Sequence, residues 1–181
     1  MKSKVVTLAA AAVLSCLGAT AHAVPVLAGV WYEFSFTDTT TLAGACTSCT
    51  PSSGTPTVFA GDSPWTYTSG AYGSTLIVTD AFLIGDQFAV FDTGILAGFT
   101  FPVAVGGACG DDPLGCVGIA SSGAFVLAPS TLHSIDILPV ASPFGGGAAY
   151  FEVIETVPEP GTMLLLGFGV SSLGLVRRRR R

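Results

Sequence analysis

The sequence predicts an all-β fold, an antiparallel β-sandwich of jelly-roll type with about eight strands. Three observations predict it. Between its two ends the chain has no sustained 3.6-residue apolar period, so no long amphipathic helix is expected. Short runs rich in β-branched and aromatic residues recur instead, set apart by Gly, Pro, Asp and Ser. Turn signals recur about every ten residues, the spacing of strands in sandwiches and barrels.

The runs fall at residues 30–37, 57–60, 65–68, 74–84, 87–92, 95–101, 124–127, 131–140 and 148–156. In the first, Val30, Tyr32, Phe34 and Phe36 alternate with Trp31, Glu33, Ser35 and Thr37, the period-2 pattern of a half-buried strand. Gly85-Asp86 reads as a tight hairpin turn between two runs, and Asp92-Thr93-Gly94 as another. Residues 38–56 and 102–122 are too long for hairpin loops and are expected to cross between sheets. No internal repeat and no second domain is visible.

All seven Lys and Arg lie at the two ends of the chain, at positions 2, 4 and 177–181. Residues 24–157 hold eleven of the twelve acidic residues and no basic one. Nothing in this body can neutralise phosphate, so nucleic-acid and anionic-lipid binding are excluded. Internal Lys or Arg salt bridges are excluded too, and each carboxylate must be solvated, hydrogen-bonded or paired with a cation. At about 134 residues the body is large enough for one core.

The N-terminus has a basic n-region (Lys2, Lys4), an apolar h-region over residues 5–17 and an Ala21-His22-Ala23 cleavage signature. Cleavage after Ala23 would make 1–23 a helical signal peptide and Val24 the first mature residue. A rival lipoprotein box, Val13-Leu14-Ser15-Cys16, would truncate the h-region. Removal of the signal takes Cys16 and leaves Cys46, Cys49, Cys109 and Cys116, expected as two disulfides in an oxidising compartment. Three pairings are open, and spacing does not choose among them. Cys46-Thr47-Ser48-Cys49 has the form of a redox motif, yet no basic residue or amphipathic helix follows to lower a thiol pKa.

The C-terminus reads Val157-Pro158-Glu159-Pro160-Gly161-Thr162, then fourteen uncharged residues from 163 to 176, then five arginines. Fourteen residues span about 21 Å as a helix, short of a hydrocarbon core of about 30 Å. The arginines would stay cytoplasmic. This order of motif, apolar segment and basic cluster resembles the PEP-CTERM sorting signal, with Pro158, Glu159 and Pro160 as its motif. The resemblance implies export, a transient stay in the inner membrane through a C-terminal helix over 157–181, and an exosortase-type processing enzyme as partner. Residues 24–156 would be the ectodomain, at the cell surface or in the extracellular matrix. Pro64-Trp65-Thr66-Tyr67, residues 76–82 and 85–92, Cys109-Gly110-Asp111-Asp112-Pro113 and residues 133–137 are similar to a recurrent PEP-CTERM ectodomain type. That likeness implies location and fold only.

No cofactor is expected. The candidate cation is Ca²⁺, held by Asp111 and Asp112 with Asp80 as a remote contributor, because hard cations take several oxygen ligands on irregular backbone. Asp86 and Asp92 also fall near turns, but EF-hand spacing is absent. Candidate sugar-stacking rings are Trp65 and Tyr67, with Tyr72 and Trp31 as further aromatics and exopolysaccharide as the ligand. His22 leaves with the signal peptide, so His133, alternating with Ile135 and Ile137, is the one base for a nucleophile triad. The expectation is therefore a protein without catalysis, structural or adhesive. A carbohydrate-binding module is the alternative, and a small secreted hydrolase stands behind it.

Overall fold

A computed structural model describes residues 23–47, 49–157 and 161. In chain order the strands are β1 (Val24–Pro25), β2 (Trp31–Phe36), β3 (Thr57–Phe59), β4 (Trp65–Thr68), β5 (Ser74–Asp80), β6 (Phe82–Leu83), β7 (Gln87–Asp92) and β8 (Ile95–Phe99). They continue as β9 (Ala108–Gly110), the short helix α1 (Pro113–Cys116), β10 (Ser122–Leu127), β11 (Leu132–Ala141) and β12 (Gly147–Glu155). One five-stranded sheet has the order β1-β4-β11-β7-β8, and a second has the order β10-β5-β12-β2-β3. A two-stranded ribbon joins β6 to β9. The fold is all-β, and each of the nine runs contains a strand.

The departures have local causes. Twelve strands replace the expected eight or so, and the unforeseen β1, β6 and β9 are two or three residues long, too short to show a period. Two pairings are parallel, β1 with β4 and β2 with β3. Residues 38–56 therefore do not change sheets: they return the chain so that β3 lies parallel to β2, which no hairpin can do. Residues 102–122 do pass from the first sheet to the second, and they contain β9 and α1. The run 74–84 breaks after Asp80, where Phe82 takes a φ of 57°. Gly85-Asp86 consequently is not a hairpin turn. It lies where the chain leaves β5 of the second sheet for β7 of the first. Asp92-Thr93-Gly94 is the expected hairpin: Asp92 pairs with Ile95, and Thr93 and Gly94 both have positive φ, as a twist-matched two-residue loop requires.

One core draws on both sheets. Tyr32, Phe34 and Phe36 of β2 meet Trp65 of β4, Phe88 of β7, Ile135 and Ile137 of β11, and Phe151 of β12. Ring centroids are 4.8 Å apart for Trp65 and Phe151, 5.6 Å for Phe34 and Trp65, and 5.3 Å for Phe36 and Phe88. The sugar-stacking assignment of Trp65 and Tyr67 is corrected by this packing. Trp65 is fully buried and donates from Nε1 to the Gly61 carbonyl at 2.9 Å. Tyr67 is buried, with its hydroxyl between Ser74 and Glu155. Neither ring offers a face to a ligand. The polar face expected for β2 is covered as well: Trp31 packs with Ala81 and Tyr150, and Glu33 is fully buried.

Candidate functional site

The outer face of the second sheet carries Glu33 on β2 directly opposite Tyr150 on β12. Both cysteine loops fold over it. Each is closed by its own disulfide, Cys46–Cys49 and Cys109–Cys116, so the pairing is the local one. Asp111 stitches the loops together, accepting from the Ser53 amide at 3.0 Å and the Ser53 hydroxyl at 2.7 Å. Asp112 accepts from the Thr55 amide and, as the N-cap of α1, from the Leu114 amide, each at 3.2 Å. A side chain at Gly54 would come within 2.5 Å of the Asp112 carboxyl carbon, so only glycine permits this approach. The Tyr150 hydroxyl donates to the Asp111 carbonyl at 2.9 Å beneath them.

The calcium candidates are thus brought to different work. Hydrogen bonds from Ser53 hold the Asp111 carboxyl below the usual carboxylate range, and those from Thr55 do the same for Asp112. Asp80 does not join them in a group of converging ligand atoms. It is fully buried and accepts from the amides of Ala81, Gly85 and Asp86 at 2.8, 3.0 and 3.1 Å, bracing the sheet change at Gly85. Burial pushes its pKa up to about 7, against the pull of those amides, with nearby Asp86 adding to the rise. Replacing Asp112 by alanine removes both the cap and the loop stitch. A thermal melt is expected to show a melting temperature lower by a few degrees, and an unchanged one would mean that the stitch is idle.

Glu33 is the residue that sequence reasoning missed. Both of its carboxyl oxygens are buried without a hydrogen-bond partner among the described residues. One of its carboxyl oxygens and the sulfurs of Cys46 and Cys49 lie within 4.8 Å of one another. With both sulfurs in a disulfide, neither offers the thiolate that a metal takes. Burial raises the Glu33 pKa to about 7, the negative Asp111 adds to the rise, and the Thr57 hydroxyl opposes it. Beside the disulfide lies a groove of about 380 Å³ that Cys49 lines together with Phe36, Phe82 and Ala148.

A second cluster unites residues that the sequence left apart. His133 is buried, with Nδ1 at 2.7 Å from Asp92 Oδ2 and Nε2 at 3.0 Å from the Ala128 carbonyl and 3.3 Å from Ser69 Oγ. Ser, His and Asp are all present, but the nucleophile geometry is not. The Ser69 hydroxyl donates to the Ala128 carbonyl and accepts from the Thr131 amide. Nε2 also faces that carbonyl more closely than it faces the serine. The cluster ties the ends of β4, β7 and β10 to β11.

A family model for the PEP-CTERM protein-sorting motif matches residues 156–181. The chain carries a PEP-CTERM sorting signal. The motif implies an exported protein, processed by exosortase and sorted to the cell surface. No match is found among curated proteins or among solved structures. The motif residues Pro158, Glu159 and Pro160, the apolar segment after them and the cleavage residue Ala21 lie outside the described residues. Ala23 is exposed just ahead of β1. No described helix is long and apolar enough to cross a membrane.

Proposed function

We propose that this PEP-CTERM protein is a surface or extracellular-matrix component whose β-sandwich ectodomain, residues 24–156, serves a non-catalytic structural or adhesive role. Its route runs through signal cleavage after Ala23 and transient anchoring by the C-terminal segment before exosortase acts. An ordered mature N-terminus fits that route, since the Val24 amide donates to the Pro64 carbonyl at 3.0 Å and β1 pairs with β4.

The observation that carries the adhesive reading is the edge of the first sheet. β8 is its last strand, and Ile95, Leu96 and Phe99 are exposed along it, with Phe101 just beyond. Native edges are ordinarily blunted by charge, proline or a covering element. β8 contains no charged residue and no proline. An apolar edge with free backbone donors and acceptors pairs with another strand, here that of a second copy. The alternative of sugar binding loses its nominated rings to the core.

Leu96→Lys places a charge on this edge without touching the core. Sedimentation velocity is expected to show self-association of the full chain weakened at least tenfold in Leu96→Lys, with retention of cells on a surface falling in step. Equal association in both proteins would remove the edge from the argument.

A further inference from the structure

We propose that Cys46–Cys49 is a thiol–disulfide exchange site, in which a thiol entering the adjoining groove attacks Cys49 while Glu33 protonates the departing Cys46 sulfur. This goes beyond the structural or adhesive reading and does not depend on it. Three independent features of the fold meet here. Cys49 forms part of the wall of the groove, which places one half of the disulfide beside solvent-accessible space. Both cysteines are partly exposed, whereas Cys116 of the other disulfide is fully buried. Behind the disulfide, a fully buried carboxyl has no hydrogen-bond partner among the described residues, and one of its oxygens lies within 4.8 Å of both sulfurs.

A buried acid whose desolvation outweighs the Thr57 hydroxyl holds its proton, and a proton is what a leaving thiolate needs. The sequence places no Lys or Arg in this body to stabilise that thiolate by charge. General-acid assistance takes the place of the missing cation. The incoming thiolate forms a bond to Cys49 Sγ, the Cys46–Cys49 bond breaks, and its electron pair goes to Cys46 Sγ. That sulfur takes the Glu33 proton, leaving a buried carboxylate which regains a proton from solvent. A second equivalent of thiol resolves the mixed disulfide, so two thiols are oxidised to a disulfide as one protein disulfide is reduced to two thiols. The groups facing Glu33 from the neighbouring elements are Asp111, the Thr57 hydroxyl and the Tyr150 phenol, with Asp112 close to the phenol. Burial and the Asp111 charge disfavour an ionised Glu33 and outweigh the Thr57 hydroxyl, which keeps the donor loaded near neutral pH.

The test uses the full chain, a neutral monothiol (2-mercaptoethanol) and acid-quenched mass mapping from pH 5 to 8. Expected are opening of Cys46–Cys49 before Cys109–Cys116, a mixed disulfide on Cys49, and a rate per thiolate that falls as pH rises through about 7. Glu33→Gln, a neutral isostere suited to the buried site, should slow exchange at pH 6 by about tenfold or more and flatten the profile. Glu33→Asp keeps the acid and should recover part of the rate. The proposal fails if Glu33→Gln exchanges like the wild type at pH 6, if Glu33→Asp is no faster than Glu33→Gln, or if Cys109–Cys116 opens first.

Discussion

Trp65→Ala is expected to lower the unfolding free energy by about 3–5 kcal/mol, the cost of emptying a large aromatic site in a close-packed core. Trp65 is fully buried and packs its ring against Phe151 and Phe34 at the heart of the shared core. The loss combines transfer of the indole surface, the cavity left behind and the Nε1 bond to the Gly61 carbonyl. Urea unfolding with an unchanged m-value measures it. Tyr72→Ala is the control: that ring is 62% exposed, and its removal should stay within about 0.5 kcal/mol. Any loss of glycan retention in Trp65→Ala would then report a destabilised fold rather than a missing sugar contact. Equal stability of the two variants would contradict the packing described above.

Glu33→Gln should have the opposite sign. In the folded protein Glu33 keeps its proton up to about pH 7, whereas in the unfolded chain it loses it near 4.5. The folded state therefore binds more protons between those values. The stability this acid contributes is complete below about pH 4.5 and is lost as pH rises through 7. At pH 8 the wild type either ionises a buried group or must take up a proton on folding, and glutamine does neither. The variant is expected to be more stable by about 3 kcal/mol at pH 8, with the gap closing toward pH 4.5. Asp80 has the same sign of shift and is present in both proteins, so it cancels in the difference. Urea titrations of the pair at the two pH values provide the check, and a gap that does not change with pH would mean that Glu33 ionises normally. This measurement stands apart from the exchange kinetics, since a buried acid can govern stability without giving its proton to sulfur.

Much of this molecule was already readable from residues alone. Apolar runs between Gly, Pro, Asp and Ser located all nine principal strands, because strand formation here follows local propensity and period-2 burial. Asp92-Thr93-Gly94 marked its hairpin, since a two-residue turn with positive φ is a local demand on the backbone. The terminal motif stood in plain order and needed no fold. Tertiary structure decided the rest. Alternation in β2 separates two faces but does not say what covers the second, so Glu33 and Trp31 read as outward residues although distant segments bury both. Gly85-Asp86 has hairpin chemistry, yet whether the next strand pairs with the last or joins the other sheet depends on long-range partners. Trp65 and Tyr67 sit among turn residues that suggest a surface, and only the opposing Phe34 and Phe151 make that segment core. The closeness of Glu33 to Cys46 and Cys49, and of Asp92 to His133, has the same origin. Chain segments far apart in sequence meet because two sheets share one core and two long loops fold over a face that the strands alone leave bare.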